Sequence, residues 1–274
     1  MPLKVAYAVA VFISDLHYLS SPADRNAVWE NLKVIFPDKP DTELRRIRRR
    51  MFRNFAKYLV DFFRFSKVDA EYVRKNIKIE NIHYFDEALK RGKGVIVLTA
   101  HLGNWELGGV VVALSGYPFW VVALSHKNKK VNDFFISQRR SKGIQVIPLG
   151  SAARQCYNLL KENKMVALVG DRDFTEKGIK VDFFGRKTFL PLGPAYLSMK
   201  TQASIITGFM LRNPDDTFTL TINKPVEIDK IALNAPQDKE ESLLKIIDAY
   251  KVVLEDYIRK YPDQWYMFRR FWIE

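Results

Sequence analysis

GVIVLTAHLGNWELGG, residues 94–109, decides how the rest of the chain is read. Val95, Ile96, Val97 and Leu98 form a short unbroken apolar run rich in β-branched side chains, the pattern of a strand buried on both faces of a sheet. Residues 99–103 break that run. Asn104 has the chemistry of a helix cap, and a helix over residues 105–114 follows until Gly116 and Pro118 stop it. His101 is thereby expected just past the carboxyl end of a central strand, with Glu106 in the first turn of a helix. Open α/β sheets bind their ligands at such strand ends.

One imidazole and one carboxylate at such a place suggest proton transfer. If Glu106 reaches back over the turn, it fixes the tautomer of His101 and leaves the second ring nitrogen free as a base. The helix N–H groups beside them would stabilise a developing oxyanion. The plainer alternative has His101 packed in a turn and Glu106 complementing the helix dipole.

Outward from this stretch, short β-branched runs at residues 77–79, 95–98, 120–124, 144–147 and 165–169 alternate with helical patterns such as 131–142 and 152–162. That is the α/β signature. After a strand at 179–183 and a helix at 194–201, the runs 205–211 and 218–222 are joined by a turn at 213–216, which adds an antiparallel part. The fold class expected is therefore α/β, a mostly parallel mixed sheet flanked by helices, closed by a helix over residues 239–260. The chain reads as a single domain, with an N-terminal helical region (1–75) and an α/β core (76–274). The aromatic closing segment 264–274 fits either a core cover or an interfacial anchor.

In the N-terminal region, Ser21 and Pro22 look like the cap and first position of a helix, and Asp41 like the cap of a long one reaching about Phe65. Phe52, Phe55, Ala56, Leu59, Phe62 and Phe63 share the apolar face of that helix, and Arg46, Arg50, Arg53, Lys57 and Arg64 the other. Such a basic amphipathic face is either solvated or laid on anionic lipid. Residues 5–19 are apolar but carry Asp15 and His17, fall short of the roughly 20 uninterrupted apolar residues of a spanning helix, and have poor flanks for signal cleavage. They fit a retained interfacial helix or one packed on the core.

Lys and Arg outnumber Asp and Glu by 44 to 31 in 274 residues, a net charge of +13. That charge calls for an anionic partner, either nucleic acid or membrane phosphate. The aromatics lie on apolar helix faces or in runs rather than interleaved with basic residues on exposed strands, which argues against nucleic acid. A lone cysteine, Cys156, excludes an intramolecular disulfide and reads as a small buried hydrophobe beside Ala152, Leu159 and Leu160. His17, His83 and His126 show no ligand spacing with His101, so no zinc site is expected. No Walker loop or G-x-S-x-G elbow is present.

His101-Leu-Gly-Asn-Trp-Glu106 resembles the His-x4-Asp/Glu signature of the glycerolipid and lysophospholipid acyltransferase superfamily. Its wording is nearer the lipid A late acyltransferases and the phosphatidylinositol mannoside acyltransferases. Other blocks agree in order and spacing: RNAVWENL from Arg25, GDRD from Gly170, VDFFG from Val181, PLGPA from Pro191 and QWYMFR from Gln264. The resemblance runs over nearly the whole chain. It implies an acyltransferase in which His101 is the general base and Glu106 orients it, with no cofactor beyond an acyl carrier protein or coenzyme A thioester as co-substrate. It also implies a glycolipid or lysolipid acceptor, and a peripheral or monotopic enzyme at the anionic cytoplasmic face of the inner membrane.

Further candidates surround that pair. Asp171-Arg172-Asp173-Phe174-Thr175 follows the strand at 165–169 and so lies past another strand end. Taken alone it matches the D-x-D-x-T loop of Mg²⁺-dependent phosphatases, a rival reading that expects further acidic residues at strand ends. Under the resemblance, Asp171, Arg172 and Asp173 border the active site and Arg172 contacts a phosphate. Lys127, after the strand at 120–124, stands where lipid A relatives place Tyr-Arg-Pro. Arg186 is a similar basic candidate, and Asn104 would order the turn or bind substrate.

Overall fold

The computed structural model describes residues 1–174, 178–227 and 239–273. At its centre lies β2 (Val95–Thr99), paired in parallel with β5 (Met165–Val169) on one side and β8 (Ser204–Arg212) on the other. The unbroken apolar run has a direct cause. Val95 and Val97 enter the core on one face of the sheet, and Ile96 and Leu98 enter the core on the opposite face, so none of these four positions is left for water.

The seven-stranded sheet has the order β1-β9-β8-β2-β5-β3-β4, with β1 (Ile77–Glu80), β3 (Phe119–Ala123), β4 (Gln145–Pro148) and β9 (Phe218–Pro225) as its remaining strands. Every pairing is parallel except β8 with β9, so the sheet is mixed in the expected place. The turn between those two carries Asp216 at φ +68°, a conformation that Asp tolerates better than most residues. A separate hairpin, β6 (Ile179–Phe183) with β7 (Arg186–Leu190), lies outside the sheet.

Helix α6 (Trp105–Leu114) covers one face of the sheet; α8 (Ala152–Lys161), α9 (Gly193–Thr201) and α10 (Lys239–Lys260) cover the other. Cys156 is fully buried there, and burial pushes its thiol pKa up to about 12. The C-terminal aromatics are a core cover: Trp265, Tyr266 and Phe271 are buried, and Trp265 bridges to Leu102 of the turn after β2.

Helices α1 (Leu3–Ser20), α2 (Pro22–Ile35) and α3 (Asp41–Phe63) form the N-terminal region, where Val28, Leu32, Leu44, Ile47, Met51 and Phe52 make their own core. Ser21 and Pro22 are the cap and first residue of α2 as expected, with the Ser21 hydroxyl donating to the Asp24 carboxylate, whereas Pro40, not Asp41, is the cap of α3. By length and composition α1 can cross a membrane, yet only 17% of it is buried. Its inner side carries Ala6, Tyr7 and Ser14, and Asp15 is gripped by Arg53 of α3 at 2.6 and 2.9 Å. Val5, Val9, Phe12, Ile13, Leu16 and Leu19 stay exposed.

Candidate active site

His101 stands two residues past the end of β2, and Asp171 stands two residues past the end of β5. Register pairs Thr99 with Val169, so the parallel neighbours deliver these two side chains side by side. His101 Nδ1 lies 2.8 Å from Asp171 Oδ1, and the His101 backbone N–H donates to Oδ2 at 3.0 Å. Trp265 Nε1 donates to the same Oδ2 at 2.9 Å. Asp171 is fully buried. Burial opposes its charge, but the His101 ring, the indole and the His101 amide together hold the carboxyl below its ordinary range. An ionised carboxylate can only accept, so Nδ1 carries the proton. Nε2 then keeps its lone pair, and among the described contacts no hydrogen bond engages it, in a side chain that is 16% exposed.

This arrangement corrects the expected pairing of His101 with Glu106. Arg139, in α7 (Lys129–Arg140), donates to Glu106 through Nη2 at 2.6 Å and Nε at 2.9 Å. The side chains are 10% and 12% exposed, so a full bidentate ion pair occupies the Glu106 carboxylate. Burial works against the Arg139 charge and Glu106 outweighs it, raising the guanidinium pKa. The physical reason is the competition for one carboxylate: a nearly buried guanidinium needs a whole opposite charge, and an imidazole already served by Asp171 does not.

The turn itself is pinned from several sides. Gly103 sits at φ +64°, and a Cβ there would lie 2.1 Å from the Met210 carbonyl oxygen, so only glycine fits. Its N–H donates to the Gln264 carbonyl, and the Tyr266 N–H donates to the His101 carbonyl at 2.8 Å. Asn104 is 1% exposed; its Oδ1 caps α6 at the Leu107 N–H, as expected, and its Nδ2 donates to Asp61 at 2.9 Å. Such burial leaves it ordering the turn, with no face for a substrate.

Arg172 lies with its guanidinium 4.6 Å over the Phe174 ring, and Phe174 in turn meets the His101 ring edge at 6.1 Å between centroids. Arg172 Nε is buried without a hydrogen-bond partner, and burial together with nearby Arg269 lowers its pKa. Asp173 accepts from the Gly178 N–H at 2.9 Å. Lys127 and Arg186 are exposed, and no described contact joins either to His101. Among the described residues no cluster of acidic, histidine or cysteine side chains has the form of a metal site. Asp171, enclosed and engaged by three donors, is withheld from attack on a phosphate, which removes the nucleophile of the phosphatase reading.

Beside the turn, between α6 and the sheet, is a small cavity. Its walls are apolar, including Val97, Val112, Phe119 and Met210, and Gly108, Gly109 and Gly208 leave it open by having no side chain. Thr99, Glu106 and Arg139 are its polar members. Trp105, also in the wall, packs edge-on to His101 with centroids 5.1 Å apart.

An α/β enzyme with a histidine–carboxylate pair at adjacent strand ends is the class these features define. The chain belongs to the bacterial lipid A biosynthesis acyltransferase family, whose model matches residues 1–274. It is 29% identical over 204 residues to a phosphatidylinositol mannoside acyltransferase of Mycolicibacterium smegmatis, covering 73% of this chain and 67% of that protein. The phosphatidylinositol mannoside acyltransferase of Mycobacterium tuberculosis is 31% identical over 159 residues, 56% of this chain and 50% of its own length. A lipid A biosynthesis palmitoleoyltransferase of Escherichia coli is 24% identical over 246 residues, 88% and 76% of the two chains. These relatives and the family are acyltransferases, and so is this protein.

Of the site residues, Arg139, Asp61 and Trp265 were not legible as candidates, and Asp171 was legible as a residue bordering the active site or as a phosphatase nucleophile, not as the partner of His101. A signal for Asp171 did exist: two strands of equal length, each followed two residues later by a titratable side chain. Its meaning depends on those strands being neighbours.

Proposed function

We propose that this acyltransferase moves a fatty acyl group from an acyl carrier protein or coenzyme A thioester to a hydroxyl of a glycolipid or lysolipid at a membrane surface, with His101 as general base. The observation that carries this reading is the Asp171 carboxylate on His101 Nδ1, which leaves Nε2 as the proton acceptor. Nε2 takes the acceptor's hydroxyl proton as that oxygen attacks the thioester carbonyl carbon. The carbon–sulfur bond then breaks, and the imidazolium returns the proton to the departing thiolate. A thiol of pKa about 8.5 leaves readily, so the step asks for a base and an oxyanion site more than for a strong acid. Of the first-turn N–H groups of α6, that of Leu107 is taken by the Asn104 cap; those of Trp105 and Glu106, which no helical carbonyl can satisfy, lie at the same sheet end and suit the oxyanion.

The apolar cavity suits part of the acyl chain, since its walls of Val97, Val112, Phe119 and Met210 offer an alkyl group no unmet polar partner. Arg172, with an unpartnered buried Nε near Arg269, suits a phosphate oxygen of the acceptor or donor. The exposed apolar side of α1 and the net charge of +13 suit a peripheral or monotopic seat on the anionic cytoplasmic face of the inner membrane.

The test is acyl transfer by purified His101→Ala with an acyl thioester and a glycolipid acceptor, followed by thiol release. Loss of about 10²-fold or more in kcat, in a protein that still unfolds cooperatively, is expected. Activity retained by that variant would overturn the reading.

A further inference from the structure

Beneath the turn that carries His101 lies a buried polar cluster that makes no contact with the proposed reacting groups. Asp61 of α3 is 6% exposed and Arg212, the last residue of β8, is 8% exposed. Asp61 accepts from the Tyr7 hydroxyl of α1, from Arg212 Nη2, and from Asn104 Nδ2 at 2.9 Å. Arg212 Nη1 donates to the Tyr7 hydroxyl at 3.0 Å, and its guanidinium lies 4.6 Å over the Phe218 ring. Arg212 and Asp216 are linked, and Asp216 is held by Lys57 at 2.7 Å, so two carboxylates meet two cations. Both backbone groups of Arg212 bond the side-chain amide of Gln264, whose own carbonyl takes the Gly103 N–H.

We infer that Asp61 is a positioning residue of the active site: through Asn104 it holds the turn bearing His101, and α1 completes its shell through Tyr7, so that the seating of α1 and the order of the turn are coupled. The inference rests on the reading of His101 as the base. Its physical basis is the cost of leaving any member alone. Without Asp61, the Asn104 amide N–H₂ loses its buried acceptor and the Arg212 guanidinium is left uncompensated, so the turn must shift to find partners or water. Asn104 is also the cap of α6, and its own N–H donates to the Met210 carbonyl at 2.7 Å. Displacing it therefore displaces both the loop from His101 and the first turn of the helix. A misplacement near 1 Å at a reacting group costs on the order of 10²-fold. Tyr7 makes the same cluster sensitive to α1, the helix whose outer side is apolar and exposed. Lipid can engage that outer side while Tyr7 stays docked, whereas drawing α1 away from the core removes a hydroxyl from Asp61.

The experiment uses the full chain with an acyl thioester and a glycolipid acceptor, and compares Asp61→Asn, Tyr7→Phe and the double variant Asp61→Asn/Asn104→Asp with His101→Ala. Asp61→Asn is expected to lower kcat by about tenfold or more while KM for the thioester stays within about twofold, the split that separates misplaced chemistry from weakened binding. The double variant moves the carboxylate across the same hydrogen bond and keeps a cap, so kcat is expected to return to within about threefold of the parent. Tyr7→Phe removes one oxygen and is expected to lower kcat by about threefold or more. A folded Asp61→Asn with parental kcat, or a loss confined to KM, would overturn the inference. If Asp61→Asn does not fold, Tyr7→Phe decides: a lowered kcat at unchanged KM supports the coupling and a parental kcat overturns it. Activity in His101→Ala would bring down the proposed function and this inference together. An inactive His101→Ala beside a fully active Tyr7→Phe and Asp61→Asn would bring down this inference alone.

Discussion

His101 gains its directionality from a single carboxylate that it can neither share nor lose. Asp171→Asn keeps the shape but puts an amide N–H₂ among three donors, so the imidazole loses the partner that fixes its tautomer. A drop in kcat of about 10²-fold or more is expected from steady-state kinetics. The same group carries a pH signature. In the unfolded chain it titrates near 3.8 and in the folded one lower, so its stabilising share is complete above that value and fades as the pH falls through the folded value. Urea unfolding of the parent and of Asp171→Asn should therefore differ most near neutrality, with the gap closing in acid. Glu106 behaves differently. Glu106→Ala leaves Arg139 buried without a counter-charge and should cost about 3–5 kcal/mol in unfolding free energy. Replacing both residues by leucine should restore most of that stability, which separates a packing role from any role in the reaction.

Helix α6 is the element on which turn, cavity and cap depend. Its consecutive glycines face the sheet: a Cβ on Gly108 would meet Met210 Cβ at 3.3 Å, and one on Gly109 would meet Phe119 Cε1 at 3.3 Å. These are the places where a side chain would enter the cavity. Gly109→Val should reduce kcat/KM for long acyl thioesters by about tenfold more than for short ones, since each methylene excluded from apolar burial forfeits about 0.8 kcal/mol. Rates across a series of donor chain lengths check this, and an equal loss at every length would speak against the cavity as the chain site.

For the whole molecule, apolar surface and positive charge combine. Residues Phe12 and Leu16 of α1 are 64% and 52% exposed, and Arg45, Arg46, Arg49 and Arg50 are exposed on the neighbouring α3. Retention on vesicles containing anionic lipid should exceed retention on neutral ones and weaken as salt rises. Phe12→Glu with Leu16→Glu should abolish most of it, as read by flotation, while leaving the unfolding transition in place because neither side chain is in the core.

How much of this was legible in advance follows from the range of the forces involved. Burial on both faces dictates the composition of β2, so its run, the α/β alternation and the place of His101 past a strand end could all be read locally. Strand limits shifted by about one residue, as at β3, because pairing partners set where a ladder stops. The capping role of Asn104 is likewise local chemistry. Which carboxylate meets His101 is not. Asp171 lies 70 residues away along the chain and reaches it only because β5 was chosen as the neighbour of β2. Glu106, five positions away, was lost to Arg139 because a buried cation outcompetes an imidazole that is already served. The sequence by itself determined which groups could do chemistry and at which end of the sheet. Only the tertiary structure decided their pairing, because the free energy of a buried charge depends on what surrounds it in space and not on what precedes it in the chain.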